Sequence, residues 1–240
     1  MTVLHAEWTK ARTVAGTAWL LLGVVTLTVL LGALAAGSMA DGADPAKSVL
    51  MGVALGQAIV VVLAVATVSG EYGTGMIRLT LTAVPRRMNV LAAKGTVVTA
   101  LTLVAGAVAV VASLAVGELV ADDVSLTAGM VRAAVGSVLY LGLIGLLSLG
   151  VAALVRDAAA AVGVVLGLLY LTPIVTTLVS DPVWHDRLQK LSPMTAGLAV
   201  QATINLARQP IGPWQGLGVL GLWAVAALLL GGLALRFRDA

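Results

Sequence analysis

Six apolar runs, at about residues 17–36, 50–69, 95–117, 128–154, 158–179 and 214–235, decide what this chain can fold into. Each approaches or exceeds the ~20 residues that span the ~30 Å hydrocarbon core as a helix. With 60% apolar residues, 10% charged residues and a mean hydropathy of +1.07, the chain reads as an all-α integral membrane protein. Most connections between runs are too short to hold a separate folded unit, so residues 1–240 are expected to form a single transmembrane domain. The chain has no cysteine, which removes disulfides, thiolate catalysis and cysteine metal sites together.

The first run also resembles a secretory signal, with Lys10 and Arg12 ahead of it and "SMA" ending at Ala40. It is longer than the ~7 to 15 residues of a signal core, so a first span is expected. Orientation follows from the basic residues. With a cytoplasmic amino terminus, nine fall inside: Lys10, Arg12, Arg78, Arg86, Arg87, Lys94, Arg156, Arg236 and Arg238. Five fall outside, and seven of the eleven acidic residues join them. Both termini are therefore expected in the cytoplasm and the protein in the plasma (cytoplasmic) membrane, and the pI near 9.6 reflects topology, with no nucleic-acid partner implied.

The spans are poor in charge. A mid-membrane Lys, Arg or Asp costs on the order of 2.5 to 3.5 kcal/mol, so proteins that retain one generally use it. Glu118 and Arg132 fall at outer span ends; inside, the polar features are Gln57 and scattered Thr and Ser. No proton carrier for a proton-driven transporter is evident. Intramembrane proteolysis needs a histidine beside a buried serine or in a zinc-binding pair, yet His5 and His185 both fall outside the spans. The phosphate-binding G-x-x-x-x-G-K-[ST] pattern is missing too, so the chain is not expected to be an enzyme or to hold a cofactor.

Helix packing and helix ends leave weaker signals. Gly52 and Gly56, and Gly163 and Gly167, stand at the spacing that lets helices approach closely, although a Gly- and Ala-rich bundle also produces such pairs by chance. Residues 2–15 place Leu4, Trp8, Ala11 and Ala15 on one face, as in a helix lying in the inner interface. Before span six, prolines 182, 193, 210 and 213 divide residues 180–213 into short outer helices, one capped by Ser192 or Thr195 and running from Ala196 to Ala207. A plain surface loop is the alternative.

The connection "SGEYGTGMIRLTLTAVPRRMNVLAAK", residues 69–94, concentrates charge. "IRLTLTA" alternates as a strand would, but a lone strand at a membrane surface leaves its backbone unpaired. A short helix is expected instead, with Thr74 as N-cap and Met76, Ile77, Leu81 and Val84 toward the membrane, ended by Pro85, which also starts the helix into span three. Glu71 is expected to pair with Arg78, Arg86 or Arg87 and orient this helix, or to bind a basic residue of a partner. Such an exposed pair is worth only ~0.2 to 1 kcal/mol, so Glu71→Ala should leave insertion near normal.

"EYGTGMIRLTLTAVPRR" resembles the E-Y-x-x-G-T/M-I-R-x-T-L pattern of permease subunits of ABC-2 type ATP-binding-cassette exporters, especially actinobacterial ones. "LSPMTAGLAV" is similar to their outer-loop L-x-P-x-x-A-G pattern. The resemblance implies a coupling helix after span two, seated in a groove of an ATPase subunit, with Glu71, Gly73, Thr74, Ile77, Arg78 and Arg87 as contacts. Gly73 departs from the larger polar residue of many relatives. It further implies two separate ATPase subunits that bind the ATP and Mg, and a second permease copy or paralogue. Gly16, Gly23 and Gly32 on span one, with Gly163 and Gly167 on span five and the outer loop, are the expected dimer contacts. The expected cargo, exported from the cytoplasm, is an amphipathic or lipid-like molecule or a drug. The alternative is a membrane scaffold or immunity protein whose loop docks a cytoplasmic partner.

Overall fold

The computed structural model describes residues 3–40, 42–73, 87–121 and 127–237, and all regular structure among them is helical. A short helix α1 (Val3–Thr13) leads into α2 (Ala15–Gly37), which is span one. A one-turn helix α3 (Pro45–Val49) precedes α4 (Val53–Gly73), span two. Span three is α5 (Arg87–Val120) and span four is α6 (Ala128–Val155). Span five comprises α7 (Ala158–Leu166), a π-helical turn (Gly167–Leu171) and α8 (Thr172–Leu178). Two short helices, α9 (Pro182–Leu191) and α10 (Pro193–Leu198), precede α11 (Pro213–Phe237), span six. These are six helices long and apolar enough to cross a membrane, at the places the apolar runs predict.

Span four is the centre of the bundle. It packs against spans two, three, five and six, and its core residues Tyr140, Leu141, Ile144, Leu147 and Leu149 are fully buried. Spans one and five are the least covered, with Trp19, Leu22, Leu30 and Leu34 exposed on one and Leu171, Ile174 and Leu178 on the other. Such faces suit a hydrocarbon environment better than water.

The helix ends explain how the spans are joined. Thr127 caps span four by accepting from the Met130 amide at 3.2 Å. That helix stops at Arg156, a left-handed residue at φ 66°, whose guanidinium donates to the Ala234 carbonyl at 2.8 Å. Asp157 then caps α7 through the Ala160 amide at 2.7 Å, so spans four and five are linked by two residues. Span five departs from one continuous helix for a reason visible in its sequence. Pro173 has no amide to donate and its ring crowds the carbonyl of Leu169, so the preceding turn widens to π geometry.

Glycine contacts sort the expected packing motifs. A Cβ at Gly52 would collide with the Thr28 backbone carbonyl, and one at Gly56 with the Thr28 hydroxyl, so this pair does bring spans one and two together. Among the described residues Gly163 meets nothing within 4 Å and Gly167 meets only Leu171 of its own span, so that pair packs against no other described helix. The dimer stripe expected on span one is corrected. Gly23 faces Ile59 and Gly32 faces the Val49 carbonyl, so two of its three glycines are used within the subunit.

A helix from Ala196 to Ala207 is also corrected. Ser192 caps α10, which tightens into a 3-10 turn (Ala199–Gln201) and ends. Tertiary partners take over the backbone there. The Asp44 carboxylate accepts from the amides of Thr203 at 2.6 Å and Ile204 at 3.1 Å, while Arg132 donates to the Ala202 carbonyl. The chain then turns at Asn205, at φ 51°, into a second 3-10 turn (Leu206–Arg208).

Candidate functional site: a buried charge cluster beside an apolar cavity

The charges of the 69–94 stretch do not all belong to a solvated loop. Glu71 ends the apolar part of span two and Lys94 lies two turns into α5, both with side chains 3% exposed. The Lys94 ammonium donates to Glu71 Oε1 at 2.8 Å, to Glu7 Oε2 at 2.9 Å and to the Thr67 carbonyl at 3.0 Å. An ammonium has three donors, so Lys94 is saturated. Glu71 Oε1 also accepts from Lys10. Two residues of α1 are thereby tied to spans two and three.

Desolvating these charges is expensive, and the cluster tolerates it because each buried charge has an opposite partner within hydrogen-bonding distance. Sequence reasoning placed Glu71 with Arg78, Arg86 or Arg87. Among the described residues Glu71 pairs with Lys10 and Lys94, and the side chains of Arg78, Arg86 and Arg87 lie outside the described set. One signal for these partners was present. Glu7 lies three residues after Leu4 and four before Ala11, so it shares their helical face and puts a carboxylate where an apolar side chain would otherwise stand.

Of the remaining expected coupling residues, Gly73 is the last residue of α4 and Arg87 the first of α5, with side-chain surroundings outside the described set. Thr74, Ile77 and Arg78, like the short helix expected at 74–84, lie outside the described residues. The described segments bring residue 71 and residue 94 together, so the 74–86 connection leaves from and returns to one corner of the bundle.

Beside the cluster lies a cavity of about 360 Å³ between α1, span one, span two and span three, with Ala11, Leu20, Leu63, Val97 and Val98 in its walls and Lys10, Glu71 and Lys94 at its polar end. A second cavity of about 440 Å³ lies at the opposite end of the bundle, lined by Leu34, Met51, Leu55, Tyr170 and Met194. Behind it Gln57 is fully buried. It accepts from the Tyr140 hydroxyl and donates to the Ala54 carbonyl at 2.8 Å, which also accepts from Tyr170 at 2.6 Å. No group of three or more histidine, cysteine, aspartate or glutamate side chains among the described residues is placed to hold a metal ion.

Fold and site together define a class: a six-helix, multi-pass membrane protein with a charged cluster at the end of the bundle that carries the amino terminus. The chain matches no profile of a known protein family, and no curated protein matches it in sequence. The likeness to ABC-2 permeases therefore rests on the residues of the 71–87 and 191–200 stretches.

Proposed function

We propose that the chain is the permease subunit of an ATP-driven ABC-2 type exporter, powered by separate ATPase subunits that bind ATP and Mg, and paired with a second permease copy or paralogue. The observation that carries this reading is Glu71. It begins the stretch that resembles the family's coupling segment, and it is gripped by Lys94 of span three and Lys10 of α1. A load applied to residues 74–86 by a partner would reach spans two and three, and α1, through short charge-assisted bonds in place of a flexible tether. Under this reading α1 lies in the cytoplasmic interface, its exposed Leu4 and Trp8 against lipid, and both termini are cytoplasmic. The largely apolar cavities suit an amphipathic or lipid-like cargo better than an inorganic ion.

The test is affinity purification of the tagged chain from its native membranes. An ATP-binding-cassette ATPase should accompany it in stoichiometric amount, and the complex should hydrolyse ATP and move an amphiphile when reconstituted. A chain that comes through intact membranes with no nucleotide-binding subunit would overturn the proposal, and a non-transporting scaffold would take its place.

A further inference from the structure

We infer that the cavity beside the charge cluster is a binding site for one phospholipid, which places an acyl chain between α1 and the spans and its phosphate against Lys10. The inference does not depend on whether the chain transports anything. Three observations lead to it. The walls are apolar, formed by Ala11, Leu20, Leu63, Val97 and Val98, and the volume of about 360 Å³ falls in the ligand-pocket range. Water holds such a space poorly, because an ordered water needs about two to four polar partners.

The cavity also opens toward lipid. Ala66 and Gly70 of span two line it and are exposed, and a Cβ at Gly70 would meet nothing within 4 Å. Val14, the extended residue between α1 and α2, is exposed at its edge. The chain bends there, and the exposed span-two residues that line the cavity, Ala66 and Gly70, are small.

Charge at the mouth selects the head group. All three donors of Lys94 are engaged, so it has nothing to offer a ligand. Lys10 is different: its side chain is 40% exposed and Glu71 is its one acceptor among the described residues. It has donors left for an anion, and a phosphate in the adjoining head-group layer is the anion a bilayer supplies with an acyl chain attached. Lys10 thus recognises the phosphate while Lys94 and Glu71 hold the frame.

Native mass spectrometry of the purified full chain in detergent tests this, using dioleoyl phosphatidylglycerol as the probe and dioleoylglycerol and oleate as comparisons. One phosphatidylglycerol should bind saturably. Dioleoylglycerol should bind about tenfold more weakly, as loss of one bond to a charged group implies. Ala66→Leu with Gly70→Leu, which grow side chains into the cavity from lipid-exposed positions, should reduce binding by at least about tenfold at an unchanged melting temperature. Lys10→Gln should weaken phosphatidylglycerol without affecting dioleoylglycerol. Ala66→Leu alone provides the same reading if the double variant fails to fold. Undiminished binding to the filled variant, equal binding of dioleoylglycerol, or equal loss of both lipids in Lys10→Gln would each overturn the inference. Oleate competing as well as phosphatidylglycerol would replace the phospholipid with a free fatty acid and overturn it too.

Discussion

Lys94 of span three and Glu71 of span two form a 2.8 Å ion pair in which both side chains are 3% exposed. This pair is a structural element of the bundle end, and it revises the expectation that Glu71→Ala leaves folding near normal. Removing one member of a buried pair strands the other, at about 3 to 5 kcal/mol. Lys94→Met should cost in that range, since it takes the buried donor from Glu71, leaving the half-exposed Lys10 beside it, and removes the donor to Glu7 and the Thr67 carbonyl together. Lys10→Met should cost about 1 kcal/mol or less, because Lys10 is 40% exposed and Lys94 still neutralises Glu71. Melting of the purified variants in detergent gives the ranking, and equal losses would mean that the burial does not matter. Glu71→Met combined with Lys94→Met should cost less than the two single changes added together.

The crossing of spans one and two predicts a sharp glycine contrast. Gly52→Ala places a methyl group against the Thr28 carbonyl, a backbone atom that cannot rotate away, so the helices must separate. Overpacking of this kind costs about 1 to 3 kcal/mol, and Gly52→Ala should lower the melting temperature accordingly. Gly163→Ala meets open space and gains helix propensity, so it should be neutral or slightly stabilising. A Gly163→Ala loss as large as that of Gly52→Ala would show that span five is covered by something at that position, such as a second subunit.

Two tyrosines at the other end of the bundle should differ although both lose only a hydroxyl. Tyr140→Phe leaves the fully buried Gln57 Oε1 without its donor, which costs about 1 to 3 kcal/mol. Tyr170→Phe removes a bond to the Ala54 carbonyl, which keeps the Gln57 Nε2 donor at 2.8 Å, so about 1 kcal/mol or less is expected. Thermal melts of the two single variants check the order. Tyr170→Phe proving the worse would mean that the π turn, more than the glutamine, depends on its tyrosine.

Asp44 links the first outer connection to the segment before span six, and this gives one end of the molecule a pH dependence. Burial alone would raise its carboxyl pKa, but the Thr203 hydroxyl and the amides of Thr203, Ile204 and Lys47 outweigh it and hold the group below the usual carboxylate range. A depressed folded-state value stabilises the fold fully above the unfolded value of about 3.9, and the contribution is lost as pH falls through the folded value. Asp44→Asn should therefore be less stable than the wild type at pH 7, and the difference should narrow below about pH 4. Asp44→Ala also removes the cap of α3, at about 0.5 to 2 kcal/mol. A gap between wild type and Asp44→Asn that stays constant from pH 7 to pH 3 would rule out the carboxylate as its source.

What the sequence reveals and what it hides divide along physical lines. All six spans are legible because apolar runs of that length leave a chain no alternative in hydrocarbon, and the cap at Ser192 follows a local rule. The partners of Glu71 are not legible in this way. Lys10 is 61 residues away and Lys94 is 23 away, and an ion pair carries no periodicity to mark it. A positive-inside reading treats both lysines as topological, which hides that one of them is buried. Pro173 was the missed local signal: a proline inside an apolar run announces a break in the helix, and the π turn before it is that break.

The last prediction separates folding from coupling. Under the proposed function, Arg78 and Arg87 would meet the ATPase groove, whereas Glu71 would act mainly through Lys94 and Lys10 inside the bundle. Arg78→Ala and Arg87→Ala should then leave the stability of the isolated chain within about 0.5 kcal/mol of wild type, as changes outside the packed core do. In the complex, each should weaken ATPase association or uncouple hydrolysis from transport, by about 2 to 5 kcal/mol where the arginine pairs with a desolvated carboxylate. Glu71→Gln should do the reverse, lowering stability first and association only as a consequence of it. Both arginines also serve the positive-inside signal, so a reporter fused to the carboxyl terminus must show unchanged topology before the binding result is read. If Arg78→Ala and Arg87→Ala membranes retain wild-type ATPase association and transport, the basic residues of this connection serve topology alone, and the coupling role assigned to it falls.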